Sequence, residues 1–367
     1  PGLFLSNAAF QHNAPWSNAG MEQYGRLPRL GIVNDVADNH CGNFTRVWTY
    51  SYRAIAAVAD GLRALEDPEI QDELGAEAVA RATAYGKFVQ GTAHATVAVM
   101  YDRGFIVDET TDLTAAQEPL EYTALMDAAL GYFDEAISLS GTSFTLPFNW
   151  MQSDVTNQDL ARIAASYKAR FYAAMARTPA ERASLNWNNI VSWANAGIQD
   201  DFMMYADWDS GWYWEVLDYG VWPSWTQMAL WVYGMADKGG DYAEWLTLDL
   251  NSKGHHFADG RPVLIVTDDL RFPQGTTVAE QRANPGTYHE IMSESWEGNT
   301  WKKPERGVWR WSWYKNTRML DYGWDAVFDQ PEMRMAEMDY LRAEGLYRNG
   351  YLAGAAAIIN ETRTAAG

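Results

Sequence analysis

The chain has 367 residues and a formal net charge of -20 at neutral pH. Such a charge repels the phosphate backbone of DNA and RNA, so no nucleic-acid partner is expected. The single cysteine, Cys41, excludes an internal disulfide bond. No apolar run reaches the roughly 18 residues that indicate a membrane-spanning helix.

The N-terminal third begins with a stretch of low periodicity and continues with two long helices. Residues 1–43 are interpreted as an ordered loop with short helices. Helices are predicted over 44–65 and roughly 75–101, where apolar residues recur every three or four positions. Asp67 and Pro68 lie between these two helices, and they are typical of a helix N-cap and of the first helical position. The two long helices are expected to form a first antiparallel pair.

Three more helices are predicted in the middle of the chain, over 119–139, 157–177 and 187–198. The segment Thr178-Pro179-Ala-Glu181 predicts a capping box that starts a new helix. Helical periodicity is then lost from 200 to 330, except around 223–236. Within this block, the apolar run Val263–Val266 could form one strand.

The last thirty residues predict a helix, a tight break and a second helix. Asn349-Gly350 supplies a residue that tolerates positive φ and ends the first helix. Ala343 and Gly345 are small enough to let a partner helix approach closely. The spacing follows the tetratricopeptide pattern. The second helix is expected to carry one buried stripe, formed by Leu352, Ala355, Ala356 and Ile359.

This terminal segment resembles the last repeat of the SusD/RagB family, the surface nutrient-binding lipoproteins of certain Gram-negative bacteria. The resemblance is carried by Leu341–Gly350 and by the following helix, which ends in Asn360-Glu-Thr362-Arg363. Three earlier stretches are also similar to the family: Trp48-x-Tyr50-x-Tyr52-Arg53 to Leu65, Arg81 to Phe88 followed by Tyr101-Asp102-Arg-Gly104, and Ser166-Tyr167-x-Ala169-Arg170.

The resemblance implies an all-α fold of tetratricopeptide-like helix pairs, with a large irregular, aromatic-rich insertion that contains little β structure. It implies one SusD-like domain over 1–367. In that domain 44–200 and 331–367 form the helical scaffold, while 1–43 and 201–330 are loop-rich and face the ligand. Family members begin with a lipoprotein signal and continue past the final repeat, so both ends are expected to be missing from this chain.

The candidate ligand site is predicted from the 18 tryptophans and 20 tyrosines, because sugar rings stack their apolar faces on aromatic planes. Aromatic residues are densest around a flexible Ser-Gly at 208–214, and they alternate at 309–313. The loop at 13–26 combines one aromatic ring for stacking with side-chain amides and a guanidinium for hydrogen bonds to hydroxyls. The resemblance implies that early loops of this kind contribute to the ligand site. Each tryptophan could instead pack in a core. The candidate ligand-binding residues are Trp16, Asn18, Arg26, Trp208, Trp212, Tyr213, Trp214, Trp309 and Trp311.

The sequence contains none of the common catalytic motifs, and no catalytic residue, metal ligand or cofactor is predicted. Asp249–Gly254 begins like a calcium loop, but Lys253 stands where an oxygen ligand is needed. Paired carboxylates nevertheless leave an α/α-barrel glycosidase or lyase as an alternative. These pairs are Asp108/Glu109, Asp200/Asp201 and Asp268/Asp269.

The resemblance implies non-catalytic surface binding of oligosaccharide or peptide nutrients and their delivery to a SusC-like TonB-dependent transporter. The expected location is the cell surface at the outer membrane, with a lipid anchor on the missing N-terminus. A different interpretation is a helical-repeat assembly or interaction protein that self-associates into a surface layer or filament.

Overall fold

The structure is a computed structural model. The chain folds into two compact units. It describes residues 42–207, 209–210, 212, 227–249, 252–253, 256–292, 312–317 and 327–365, together with residues 9, 35 and 37. The helical unit comprises Arg46–Tyr205 and Asp329–Gly367, and the insertion unit comprises Pro1–Thr45 and Ala206–Phe328.

The first part of the helical unit contains the five helices predicted there from periodicity, the helix predicted to start at Thr178, and two shorter ones. The helices are α1 (Gly42–Ala64), α2 (Pro68–Leu74), α3 (Ala76–Met100), α4 (Tyr122–Leu139), α5 (Phe148–Met151), α6 (Asn157–Ala174), α7 (Pro179–Ser184) and α8 (Trp187–Ala196). The short strands β1 (Arg103–Gly104) and β2 (Leu120–Glu121) pair in antiparallel fashion before α4. The strand β3 (Phe202–Ala206) ends this part of the chain.

The insertion unit has little regular structure in its described part. Its helical elements are α9 (Leu230–Tyr233), a 3₁₀ turn (Gly234–Ala236), α10 (Asp241–Thr247) and α11 (Val278–Ala283). One antiparallel pair joins β4 (His289–Ile291) to β5 (Tyr314–Asn316). The chain then returns to the helical unit through β6 (Phe328–Met333), which pairs with β3, and ends in α12 (Met335–Arg348) and α13 (Leu352–Ala365).

The core of the helical unit follows the predicted helical stripes. On α4 the predicted inward residues Leu125, Ala129, Tyr132, Phe133 and Ala136 are all buried. The helices α3 and α4 approach closely at Gly91, where an added Cβ would lie 2.8 Å from the ring of Phe133. The two helices of the predicted first pair, α1 and α3, meet at Leu62, whose side chain lies 3.0 Å from the Cβ position of Gly86.

Polar side chains start several of these helices. The Asp67 carboxylate accepts a hydrogen bond from the backbone N–H of Glu69 and caps α2, which has Pro68 at its start. The capping box predicted at Thr178 is only half formed. The Thr178 side chain accepts from the N–H of Glu181 as expected. The Glu181 carboxylate, however, accepts from the N–H of Arg177 at 2.8 Å, one residue before the cap.

Two side chains of α6, Tyr167 and Arg170, connect the two sequence segments of the helical unit through carboxylates. The hydroxyl of Tyr167 donates to the Glu332 carboxylate at 2.9 Å. The Arg170 guanidinium donates to both carboxylate oxygens of Glu337, at 2.7 and 2.6 Å. Burial raises the pKa of Glu332, although the bonds from Tyr167 and Arg170 oppose that shift. A partly buried polar contact therefore joins two residues that are 165 positions apart in the sequence.

The terminal hairpin confirms the predicted break but not the predicted stripe. Gly350 has a φ of +83°. The N–H of Tyr351 donates to the carbonyl of Leu346 at 2.8 Å, which completes a Schellman C-cap. On α13, however, only Ala355 of the predicted stripe is buried, while Leu352 is 58 % exposed; Ala356 and Ile359 are also exposed.

The stripe prediction was wrong because periodicity shows which residues share a helix face, not whether a neighbour covers that face. The helix α13 packs mainly on α12. The small residue Gly345 instead faces α8, where an added Cβ would lie 2.4 Å from Cγ2 of Val191.

In the part of the chain that the structure describes, no helix is both long and apolar enough to cross a membrane.

The predicted strand at Val263–Val266 was also wrong, although the segment is buried. Its backbone N–H groups bond to side chains instead of to a neighbouring strand. The N–H groups of three residues donate in this way: Leu264 to Asp241 at 2.9 Å, Ile265 to Tyr314 at 2.8 Å and Val266 to Asp237 at 2.9 Å. Buried backbone groups need partners, and here polar side chains supply them.

We expect Gly345→Leu to destabilise the protein by about 1–3 kcal/mol, because the new side chain must displace Val191 and the carbonyl of Trp187. The measurement is the free energy of unfolding in urea. The matched control is Gly131→Leu on α4, where nothing lies within 4 Å of the added Cβ. Equal stability of the two variants would contradict the close packing of α12 on α8.

We expect Tyr314→Phe to lower the free energy of unfolding by about 1–3 kcal/mol. The lost hydroxyl accepts from Ile265 N–H and donates to the Gln281 side chain at 2.7 Å, so both groups would be left buried without it. Tyr233→Phe, which removes a hydroxyl from the same unit, is the control and should change stability by much less. Equal losses in the two variants would argue against the hydrogen-bonded support of Val263–Val266.

Candidate functional site

Trp212 is the one predicted ligand-binding residue that falls in the described part of the chain. The other eight candidates stay predictions, because they lie outside the described residues: Trp16, Asn18, Arg26, Trp208, Tyr213, Trp214, Trp309 and Trp311. The geometry of the site is therefore built from Trp212 and its described neighbours.

Trp212 is held by a short hydrogen-bonded turn that directly follows β3. The Asp207 carboxylate accepts from the backbone N–H of Ser210 at 2.5 Å. The Ser210 hydroxyl oxygen then accepts from the backbone N–H of Trp212 at 3.2 Å. Asp and Ser side chains commonly bind the backbone a few residues further on and so fix turns of this kind. The turn leaves Trp212 36 % exposed.

The turn that carries Trp212 also contains the ionised carboxylate of Asp207. The hydrogen bond from the Ser210 N–H lowers the pKa of Asp207, and the Ser210 hydroxyl adds to that effect. Asp209 is a second exposed acid in the same turn. A flat apolar ring beside hydrogen-bond acceptors suits a ligand with an apolar face and hydroxyl donors. The sequence analysis missed Asp207 and Ser210, although an Asp followed by Ser three residues later is a usable turn signal.

The other described tryptophans of the insertion unit belong to its core. Trp245 is fully buried and Trp313 is 3 % exposed. Trp231 packs edge-on against Trp245, with ring centroids 4.8 Å apart. Trp231 and Tyr233 pack against the core. The structure thus separates Trp212, whose ring reaches the surface, from residues that the sequence could not tell apart from it.

Lys253, at the rejected calcium loop, has a structural role. Its ammonium group donates to the carbonyls of Trp245 and Leu246, at 2.5 and 2.9 Å, and so caps the end of α10. It also lies 4.7 Å from the ring centroid of Trp245. Burial lowers the pKa of Lys253.

Among the residues that the structure describes, no group of three His, Cys, Asp or Glu side chains is arranged to hold a metal ion.

The carboxylate pair Asp108/Glu109 forms internal bonds in the helical unit. Burial works to raise the pKa of Glu109, but hydrogen bonds from Lys87 and Gln90 outweigh it and lower the pKa. The pKa of Asp108 is also lowered, because its bonds from Thr110, Tyr132 and Thr111 outweigh burial. A glycosidase needs one protonated carboxyl with a raised pKa, which neither residue has.

The two other carboxylate pairs also contain members with structural partners. Asp201 accepts from the backbone N–H of Met335 at 2.8 Å, at the start of α12. Asp268 forms an ion pair with Lys238. Asp269 bonds to Arg271, whose guanidinium lowers the pKa of that carboxyl. Each of these two predicted pairs therefore contains at least one carboxylate that is bonded to another part of the fold.

No protein-family model matches the sequence, and no curated protein matches it. Solved structures do match the fold. A SusD superfamily protein from Bacteroides vulgatus ATCC 8482 aligns with a TM-score of 0.55 and 12 % identity, over 98 % of this chain and 74 % of that one. This chain has a SusD-like fold.

Two further SusD-like structures agree with this assignment. A SusD-like carbohydrate binding protein, also from Bacteroides vulgatus ATCC 8482, aligns with a TM-score of 0.52 and 12 % identity over 99 % of this chain and 69 % of that one. A SusD-like protein from Bacteroides fragilis NCTC 9343 aligns with a TM-score of 0.51 and 13 % identity over 99 % and 75 %. The predicted SusD-like fold class of helix pairs with an irregular insertion is confirmed.

In this SusD-like fold, we expect the backbone N–H of Ser210 to report the titration of Asp207 with a midpoint below the ordinary aspartate value of 3.8. Because the folded-state pKa is lowered, ionised Asp207 stabilises the turn at neutral pH. That contribution is lost as the pH falls through the lowered pKa. The measurement is the NMR shift of the Ser210 amide against pH, with Asp207→Asn as the non-titrating control. A midpoint at or above 3.8 would contradict the hydrogen bond.

Proposed function

We propose that the protein is a non-catalytic carbohydrate-binding protein of the SusD type, which captures an oligosaccharide through its insertion unit. The observation that carries the proposal is Trp212, a partly exposed aromatic ring fixed by the Asp207–Ser210 turn. The SusD-like fold supports it, because one of the similar structures is described as carbohydrate binding.

The chemistry of the turn fits a neutral sugar better than an anion. A pyranose ring offers an apolar C–H face that can stack on Trp212, and hydroxyl donors that can reach the carboxylates of Asp207 and Asp209. The net charge of -20 works against anionic ligands. A preformed turn also reduces the entropy lost on binding, since the aromatic ring is already ordered. The remaining candidates, such as Trp309 and Trp311, would extend this surface.

The absence of catalysis is part of the proposal. The lowered pKa values of Asp108, Glu109 and Asp269 leave these three carboxyls ionised and unsuited to act as a general acid at neutral pH. Glu332, whose pKa burial raises, is held by Tyr167 in the link between the two segments of the helical unit. We further propose that the protein acts at the cell surface of the outer membrane, held by a lipid anchor. There it would pass its ligand to a TonB-dependent transporter. Deletion of the gene in the native host, followed by growth on the bound glycan, tests delivery.

We expect Trp212→Ala to weaken oligosaccharide binding by about tenfold or more, which corresponds to roughly 1.4 kcal/mol or more. The measurement is isothermal titration calorimetry with a panel of neutral oligosaccharides, with a panel of short peptides in parallel. Calorimetry is preferred because removal of a tryptophan changes the intrinsic fluorescence by itself. The matched control is Tyr340→Ala, which removes a 50 % exposed aromatic side chain from the helical unit.

Saturable binding of one glycan class that is lost in Trp212→Ala and kept in Tyr340→Ala would support the proposal. Binding of peptides alone would replace the carbohydrate by a peptide ligand. Reducing sugar released during the titration would contradict a non-catalytic role and would favour the glycosidase alternative. No binding together with a mass that rises with concentration would favour the assembly alternative.

A further inference from the structure

The helical unit contains an apolar pocket that the sequence analysis did not single out. Its volume is about 310 Å³, at the lower end of the roughly 300–1,000 Å³ of ligand pockets. One wall is formed by α1 and the other by α3, with α5 closing one side. The lining includes Val58, Gly61, Leu65, Ala82, Tyr85 and Trp150.

The pocket exists because α1 and α3 touch tightly at one point and carry small residues beside it. Leu62 fills the space next to Gly86, where an added Cβ would lie 3.0 Å from its side chain. Gly61, one position earlier on α1, has no atom within 4 Å of an added Cβ. A helix position without a side chain therefore opens onto the pocket. The pocket therefore lies beside the contact of Leu62 with Gly86.

The aromatic wall of the pocket is held in place before any ligand arrives. The rings of Tyr85 and Trp150 lie 4.9 Å apart between centroids, tilted by 34°. The hydroxyl of Tyr85 donates to the backbone carbonyl of Trp150 at 2.8 Å. Burial raises the pKa of Tyr85 to about 12, so this hydroxyl stays neutral and keeps its donor. The wall is thus an aromatic surface fixed by a hydrogen bond, and the Arg81 guanidinium lies 6.0 Å from the Trp150 ring centroid.

A dense acidic stretch follows the pocket at its Leu65 end. The side chain of Gln71 donates to the carbonyl of Leu65 at 2.6 Å and so fixes α2 beside the end of α1. Residues 66–77 contain six carboxylates and no basic residue: Glu66, Asp67, Glu69, Asp72, Glu73 and Glu77. All six are exposed. Of the nearby basic residues, Arg63 is paired with Asp60, and Arg81 lies over the ring of Trp150.

We propose that this pocket docks a short basic amphipathic segment of a partner protein. One large apolar side chain of that segment enters the pocket, and its Lys or Arg residues face the carboxylates of α2. The walls are apolar, so a buried aliphatic or aromatic anchor gains the free energy of leaving water. The charge on α2 selects basic over acidic partners and speeds their association. The pattern corresponds to recognition of an amphipathic helix in a groove.

This docking pocket and the proposed sugar site have no residue in common, and their surfaces differ in chemistry. The turn at Trp212 combines one ring with carboxylates that can accept hydroxyl hydrogens. The pocket offers aliphatic and aromatic walls and places its charge outside, on α2. The two activities can therefore be tested independently on the same full-length protein.

The experiment uses two fluorescein-labelled synthetic helical peptides of about 14 residues, with Leu and Trp four positions apart. One peptide carries Lys at its polar positions and the other carries Glu. Fluorescence anisotropy with the wild-type protein should show saturable binding of the Lys peptide, weakened by added NaCl. The Glu peptide should bind at least tenfold more weakly. No saturable binding of the Lys peptide, or equal binding of the two peptides, would overturn the proposal.

Two sets of variants locate the binding. Gly61→Leu fills the pocket without a clash, because nothing lies within 4 Å of the added Cβ, and it should weaken Lys-peptide binding by at least tenfold. Gly131→Leu adds the same side chain at an equally open helix position outside the pocket and should bind normally. Equal affinity in these two variants would overturn the assignment to the pocket.

The charge on α2 is tested by the triple variant Glu69→Gln, Asp72→Asn and Glu73→Gln. It should weaken Lys-peptide binding several-fold and flatten the dependence on NaCl. The control is Glu118→Gln, Asp127→Asn and Asp154→Asn, which removes three exposed acids elsewhere in the helical unit. Equal effects of the two triple variants would reduce the acidic stretch to a general charge effect and would overturn its role as a docking surface.

Discussion

The partly buried link from Tyr167 and Arg170 to Glu332 and Glu337 joins the two sequence segments of the helical unit across the long insertion. The unit is built from two sequence segments, so a contact must bring the second segment back in the correct register. A carboxylate that is largely removed from water needs such partners, since an unpaired buried charge is strongly destabilising. The Ser166–Arg170 motif that carries part of the family resemblance supplies this contact, so its role in this chain is structural.

The two units use different physical means to bury their backbones. In the helical unit, helices satisfy their own hydrogen bonds and approach through small residues, as Gly91 does against Phe133. In the insertion unit, the buried segment Val263–Val266 depends on side chains such as Tyr314 and Asp237. Side-chain support of this kind permits irregular backbone. Irregular backbone in turn allows a turn such as Asp207–Ser210 to fix a partly exposed aromatic ring.

Aromatic residues serve opposite purposes in this chain, and only burial separates them. Trp245 and Trp313 fill the core of the insertion unit, whereas Trp212 reaches the surface. Tyr85 and Trp150 form a third case, a hydrogen-bonded wall of an apolar pocket. A sugar and an apolar peptide side chain both use aromatic planes, but they differ in the polar groups required nearby. That difference separates the proposed glycan surface from the proposed docking pocket.

The sequence by itself determined the features that depend on local physics. Helical periodicity placed the five long helices before β3, Asp67 marked a cap, and Asn349-Gly350 marked the break in the terminal hairpin. The stripe on α13, the supposed strand at Val263–Val266 and the position of Trp313 were decided by the tertiary structure. Whether an apolar face is covered, or a backbone finds a strand or a side chain as its partner, depends on residues far away in the sequence. Periodicity carries no information about those distant neighbours.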